Sequence, residues 1–373
     1  MGSWLHRWWP ALLLGLATIG AYGTAYYAIG VLIPVIAADT GWSAGMLSAG
    51  FSIGVLGQGA IALLAGRLFD RYGPRPVLLP AILLGSLAFA AASQAASVWQ
   101  FVAFWALGGA AIGGGLYYNV TMPVTARLYP GQRAAAFSVL TLRGALASPI
   151  FYPLAAWLID SLGWRSGLLA LVAAMALCVL PAALLIGTPP PSQRDVVARA
   201  GRASLRLTLL EPPVHRAILF FALGAFANAA LVLHQVSIME AAGLSLAGAS
   251  AFAGVRGFFQ IPGRLFLTPL TRRIGVAGAI GLCYVTAASG VAALLLALGG
   301  GMSQIAMAYF VVASGVSLGL LSPLNGLFQA EVFGDARLGT LSGVTVIVGS
   351  IAGACGAWLS GLAAELTGGF EQC

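Results

Sequence analysis

Lysine is absent from this sequence, and only 10 of its 373 residues are acidic. Charged residues of all kinds make up 8% of the chain, whereas a soluble domain carries roughly 25%. Water therefore cannot be its main solvent. Cysteine is scarce as well. Cys178, Cys283 and Cys355 stand singly inside apolar runs and Cys373 ends the chain, so no paired spacing offers a disulfide framework or a metal site. They read as small core hydrophobes. No catalytic acid, base and metal-ligand constellation falls within an apolar run, which disfavours an enzyme. The glycine clusters at 108–109, 113–115 and 349–356 neither follow a strand nor end in Lys-Ser/Thr, so close helix packing is expected there and no nucleotide or other cofactor is implied.

What the sequence does hold is apolar length. Hydrophobic residues are 60% of the chain, gathered in runs of the roughly 20 residues that an α-helix needs to cross a bilayer. Breaks at polar or turn-rich points give eleven spans, near 10–36, 43–66, 76–98, 100–127, 134–159, 165–187, 215–239, 246–270, 276–298, 302–330 and 338–365. An all-α integral membrane protein is predicted. His6 and Arg7 precede the first run with no small-residue cleavage site after it, so that run is expected to stay as a helix. The net charge of +8 sits in the short loops, which argues for membrane topology and against nucleic acid. Alternate loops are basic: Arg67, Arg71 and Arg75, then Arg127 and Arg133, then the 188–213 segment, then Arg272 and Arg273, then Arg337. The others carry Asp39, Asp160, Arg165 and Glu240. This asymmetry predicts a cytoplasmic N-terminus. The use of arginine alone points to a GC-rich bacterial coding sequence, hence a bacterial cytoplasmic membrane.

Residues 188–213 begin Thr188-Pro189-Pro190-Pro191 and read as a cytoplasmic linker between residues 1–187 and 214–373. The two parts repeat one another. Gly41, Ser43, Ser48, Gln58, Arg71 and Gly73 recur as Gly243, Ser245, Ser250, Gln260, Arg273 and Gly275, at a constant shift of 202. Six spans separate the members of each pair, so the repeats enter the membrane in the same direction. Two parallel six-helix bundles around a central cavity satisfy this. The second bundle has five spans in this chain, and the twelfth is expected after Gly368-Gly369-Phe370.

The loop Gly66-Arg67-Leu68-Phe69-Asp70-Arg71-Tyr72-Gly73-Pro74-Arg75 resembles the signature loop of the major facilitator superfamily. The resemblance implies a carrier, with Gly66 allowing close helix approach, Asp70 capping a neighbouring helix or pairing with Arg127, and Arg71, Gly73 and Arg75 completing a gate. Tyr26 to Pro34, Asp39 to Ser43, Gly263-Arg264 and Glu331 to Gly334 are similar to the monocarboxylate and oxalate–formate exchanger branch. In that branch the arginine of the eighth helix pairs with the substrate carboxylate, which the resemblance carries to Arg264. The lysines and the eighth-span aspartate found in parts of that family have no match here.

Independently of family, Arg143, Arg256 and Arg264 fall inside spans. An arginine at helix centre costs roughly 2.5–3.5 kcal/mol on insertion scales, so it faces a cavity or snorkels. No acid lies well inside any span, which favours an anionic ligand for these guanidinium forks. Arg256 and Arg264 are eight residues apart, about 12 Å along one helix, and are placed to serve opposite ends of one cavity. Tyr22, Tyr26 and Tyr27, Tyr117, Tyr118 and Asn119, and Gln260 supply polar atoms that need partners, and His234 is the intramembrane group placed to titrate near neutrality. The reading is a monomeric carrier of small organic anions, mono- or short dicarboxylates, in the lipid bilayer. Proton symport, export of lipophilic drugs, and a receptor or scaffold on the same fold stay open at this point.

Overall fold

A computed structural model describes residues 2–129, 132–187, 211–298, 303–333 and 338–367, and every regular element among them is helical. In chain order these are α1 (Gly2–Tyr22), a π-helical turn (Gly23–Tyr27), α2 (Ala28–Thr40), α3 (Ala44–Tyr72), α4 (Arg75–Ser93) and α5 (Val98–Leu116). Then come α6 (Tyr118–Leu128), α7 (Arg133–Gly144), α8 (Ala147–Leu185), α9 (Pro212–Ala241) and α10 (Leu246–Phe258). The chain continues through α11 (Gln260–Leu265), α12 (Leu267–Leu298), α13 (Ser303–Phe333) and α14 (Leu338–Thr367). Most of the expected linker, Arg337 and the expected final turn from Gly368 lie outside the described residues.

Nine helical stretches among the described residues are long and apolar enough to cross a bilayer. Two features reconcile that number with eleven expected spans. Val139–Leu185 is one stretch of 47 residues, but Gly163, at φ 74°, kinks it between the expected fifth and sixth spans. The expected eighth span is divided among α10, α11 and the start of α12, so no single helix there is long enough.

The repeat seen in the sequence recurs in the backbone. Gly41 and Gly243 both end a helix with positive φ, at 70° and 92°, and Gly73 and Gly275 both turn the chain at 83° and 71°. A left-handed conformation disfavours any residue with a Cβ, so the same glycine is required at both places. Two residues on, Ser43 accepts the Met46 N–H at 3.2 Å and Ser245 accepts the Gly248 N–H at 3.2 Å, capping α3 and α10 alike.

Contacts between the two repeats obey the same symmetry. α3 packs on α14, and α10 packs on the first part of α8. The repeat converts the first contact into the second, as a two-fold axis along the membrane normal would. Glycine makes these approaches close. A Cβ on Gly361 of α14 would stand 2.9 Å from Ser48 Oγ, and one on Gly30 of α2 would stand 2.8 Å from the Leu233 carbonyl oxygen on α9.

The α8–α10 contact offers an internal control. A Cβ on Gly257 would overlap Ser148 and reach 2.8 Å from Pro149 Cγ, whereas one on Gly254 would meet nothing nearer than 3.2 Å. Overpacking costs about 1–3 kcal/mol, so Gly257→Ala should lower the melting temperature of the detergent-solubilised protein well beyond Gly254→Ala. Equal melting temperatures for the two variants would show that this contact is not tightly packed.

Candidate functional site

Between the repeats lies a cavity of about 1090 Å³, walled by α1 and the π turn, α6, α7 and α9 to α14. Its walls coincide with irregular backbone. In the π turn the Ala28 N–H reaches back five residues to the Gly23 carbonyl, which widens the helix and lets Tyr22, Tyr26 and Tyr27 all face the cavity. At Tyr117 the chain is extended (φ −78°, ψ −175°) between α5 and α6, and Tyr118 follows on the cavity wall. Arg256 lies in the last turn of α10 and Arg264 in the last turn of α11. Their span is interrupted, but both reach the same cavity.

Arg256 is only 5% exposed. Its Nε donates to Ser314 Oγ at 2.8 Å and one Nη donates to Gln235 Oε1 at 3.0 Å. Gln235 in turn donates to the Tyr152 hydroxyl, which donates to the Val232 carbonyl oxygen at 3.2 Å. The guanidinium also sits 5.6 Å from the centroid of the Phe310 ring. This network joins α8 to α9, α10 and α13 without a carboxylate.

Arg264 is held differently. It is half-buried, and its enclosed Nε has no hydrogen-bond partner. Arg264 and Arg256 line the same cavity as Tyr22, Tyr26, Tyr27 and Tyr118, so the arginines share it with a tyrosine wall. That wall is itself packed: Tyr22 stacks on Tyr117 with centroids 3.9 Å apart, and Tyr26 meets Tyr27 edge-on at 5.4 Å. Gln260 and His234 also line the cavity. His234 is 1% exposed, and its Nε2 donates to the Ala357 carbonyl oxygen at 3.2 Å. Among the described residues, no aspartate or glutamate lines the cavity.

Two predicted site residues lie elsewhere. Arg143, one residue short of the wall formed by Gly144, lays its aliphatic stem against Gly15 of α1. Asn119 donates to the Gly114 carbonyl oxygen at 2.9 Å, repairing the break at Tyr117 and turning away from the cavity. Sequence reasoning missed Tyr152, Gln235, Ser314, Asn228 and Asn325, which carry no charge to mark them among apolar neighbours.

At the loop between α3 and α4, the side chains of Asp70 and Arg71 lie outside the described residues. Gly73 closes α3 with its N–H on the Phe69 carbonyl oxygen at 2.9 Å. Arg127 covers the Phe69 ring at 4.2 Å, and Arg75 donates to the Leu184 carbonyl oxygen at 2.6 Å, tying α6 to α3 and α4 to α8. Gly66 departs from expectation: among the described residues, an added Cβ there would meet no atom within 4 Å, so the close approach of α6 to α3 is made at Phe69 instead.

Comparison with known proteins bears on the family and the fold. The monocarboxylate transporter 13 of Rattus norvegicus is 25% identical over 320 residues, covering 86% of this chain and 73% of the relative. A chloramphenicol resistance protein of Streptomyces lividans is 31% identical over 287 residues, covering 72% and 69%. The crystal structure of the nucleoside transporter NupG superposes with a TM-score of 0.73 over 98% of this chain and 93% of that one, at 14% identity, a likeness of fold alone. The sequence profile of the Major Facilitator Superfamily matches residues 14–357, and the chain belongs to that family of membrane transporters.

Proposed function

We propose that this transporter carries small organic anions, mono- or short dicarboxylates, by alternating access and chiefly by exchange. One observation carries the reading: two guanidiniums share a cavity with no carboxylate among its described walls, and one of them keeps an enclosed, unpartnered nitrogen. A cation so placed is stabilised by an anion that it can hold in a bidentate fork. Arg264 is the substrate contact. Arg256 is a partly satisfied second cation, and Tyr26, Tyr27, Tyr118 and Gln260 shape the site. The name of the rat relative supports the same substrate class. The loop from Gly66 to Arg75, with Arg127, serves as a gate. The basic loops support an N-terminus on the cytoplasmic side of a bacterial inner membrane, with residues 1–187 and 214–373 as the two moving bundles.

A second reading, export of lipophilic compounds, draws on the size of the cavity and on the chloramphenicol resistance relative. A stability screen of the purified protein separates the two. A ligand at 100 times its dissociation constant adds about 2.7 kcal/mol, so carboxylates should raise the melting temperature and neutral lipophilic compounds should not. The reverse pattern would favour the exporter.

Arg264→Lys keeps the charge and loses the fork. Carboxylate binding should weaken at least tenfold while the protein still inserts and elutes as a single species; a fully active lysine variant would remove Arg264 from the site.

The exchange mode follows from the same charge. An empty cavity carries uncompensated cations through the closed intermediate, which is slower than carrying a neutralised pair. Labelled uptake into liposomes preloaded with the same anion should run at least tenfold faster than uptake into empty ones. Equal rates, with acceleration by an inward proton gradient that His234→Ala abolishes, would establish symport instead.

A further inference from the structure

The close contacts between the two repeats are gathered toward one face of the bundle. α3 starts and α14 ends on the face that carries Asp39 and Glu240, and the two helices run antiparallel. There a Cβ on Gly45 would stand 2.8 Å from Glu365 Oε2, and one on Gly361 would stand 2.9 Å from Ser48 Oγ. Further along α3 the approach widens. A Cβ on Gly59 would meet nothing nearer than Ser350 Oγ at 4.0 Å, and one on Gly66 would meet no described atom within 4 Å. The widening runs over the 21 residues from Gly45 to Gly66, about 32 Å of helix. Across the cavity, α10 meets α8 at Gly254 and Gly257, within its first 12 residues from the same face. The halves are thus closed at this face, and α3 and α14 part toward the basic loops.

One carboxylate joins the halves where they are closed. Ser43 Oγ donates to Glu365 Oε2 at 2.5 Å and accepts the Met46 N–H at 3.2 Å. Through that hydroxyl the carboxylate acts on the N-terminus of α3, the positive end of the helix dipole. A hydrogen bond to an ionised acceptor is short and roughly twice as strong as a neutral one. Gly45 makes room for it, since any Cβ there would crowd the carboxylate oxygen. The hydrogen bonds between the repeats at Tyr152 and Tyr26, by contrast, join neutral groups beside the cavity. The repeat supplies no second copy of the carboxylate. The shift of 202 puts Gly163 where Glu365 stands, and among the described residues the Ser245 hydroxyl bonds the Gly248 N–H and no acid. Glu365 is exposed and lies off the cavity wall, so substrate binding is not its role.

We infer that Glu365, seated in the notch at Gly45, is the latch that holds the halves closed on this face and keeps the resting carrier open toward the basic loops. It is a positioning residue, setting the balance between the two orientations without touching substrate. The inference rests on the alternating movement argued above and not on the class of substrate.

The test uses the full chain with its native cysteines replaced by serine, spin-labelled at one pair of exposed positions per sample and reconstituted in liposomes. Ala38→Cys with Ala247→Cys spans the closed face, and Tyr72→Cys with Ile274→Cys spans the face of the basic loops. The parent should show mainly a short distance on the first pair. Glu365→Ala should enlarge the long-distance population there at least threefold, with a matching shift to shorter distances on the second pair. Gly45→Ala should do the same by displacing the carboxylate, and the two changes together should go no further than either alone. Glu365→Gln keeps the acceptor and loses the charge, so it should fall between. Because Glu365 is exposed, its variants should melt with the parent. A parent dominated by the long distance on the first pair overturns the latch. Unchanged distances on both pairs in Glu365→Ala overturn it too and leave the alternating movement standing, and additive effects of the two substitutions overturn the seat at Gly45. A first pair that separates while the second stays fixed overturns the alternating reading, and with it the role of Glu365 in setting the balance, since the halves then only loosen.

Discussion

A guanidinium enclosed in a bundle, with no carboxylate beside it, must be solvated by neutral dipoles. Arg256 meets that requirement with Ser314, Gln235 and the ring of Phe310, and Gln235 hands the demand on to Tyr152. Removing one partner of a buried charge is costly, about 3–5 kcal/mol where measured for ion pairs. The network therefore fixes how α8, α9, α10 and α13 meet at the cavity. Its members come from both repeats, so the cation that shapes the cavity also senses how the two halves stand relative to one another. Arg264, eight residues on, lacks such a shell. One span thus presents an arginine that the protein satisfies and an arginine whose enclosed nitrogen has no partner among the described residues.

Much of this was legible in the residues. Apolar run length gave the helices, and the 202-residue shift gave the parallel repeat, because a positive-φ glycine and a capping serine are needed again wherever the same turn recurs. Arg256 and Arg264 were found because charge in an apolar run is conspicuous. What escaped was set by three-dimensional neighbours. Arg143 shares a helix with the cavity-lining Gly144, and only packing against Gly15 shows that it points elsewhere. Asn119 looked like a site residue and instead repairs the backbone at Tyr117. Gln235 and Asn325 had no signal, since an uncharged amide in a span is equally compatible with a helix contact and with a ligand.

The breaks in the helices follow a physical division of labour. In hydrocarbon an interrupted helix strands N–H and C=O groups, so irregular backbone is tolerated only where protein or a water-filled space meets it. α4 and the second half of α8 are regular and hold Leu83, Leu87, Leu177 and Leu184 outward, between 53% and 74% exposed, as a lipid-facing surface requires. The first, fourth, fifth and eighth spans carry the π turn, the extended Tyr117, the turn between α7 and α8, and the three-part α10–α12 run, and each break adjoins the cavity. The polar side chains that would bind a substrate sit beside these breaks. The backbone irregularity and the polar side chains are thus one feature: a space inside the bundle that solvates both. The glycine-lined contacts of α3 with α14 and of α8 with α10 lie on opposite sides of that space and are exchanged by the repeat symmetry. Loosening one pair while holding the other would break the two-fold relation between the repeats, whereas loosening both would keep it, because each contact is the image of the other under the duplicated sequence.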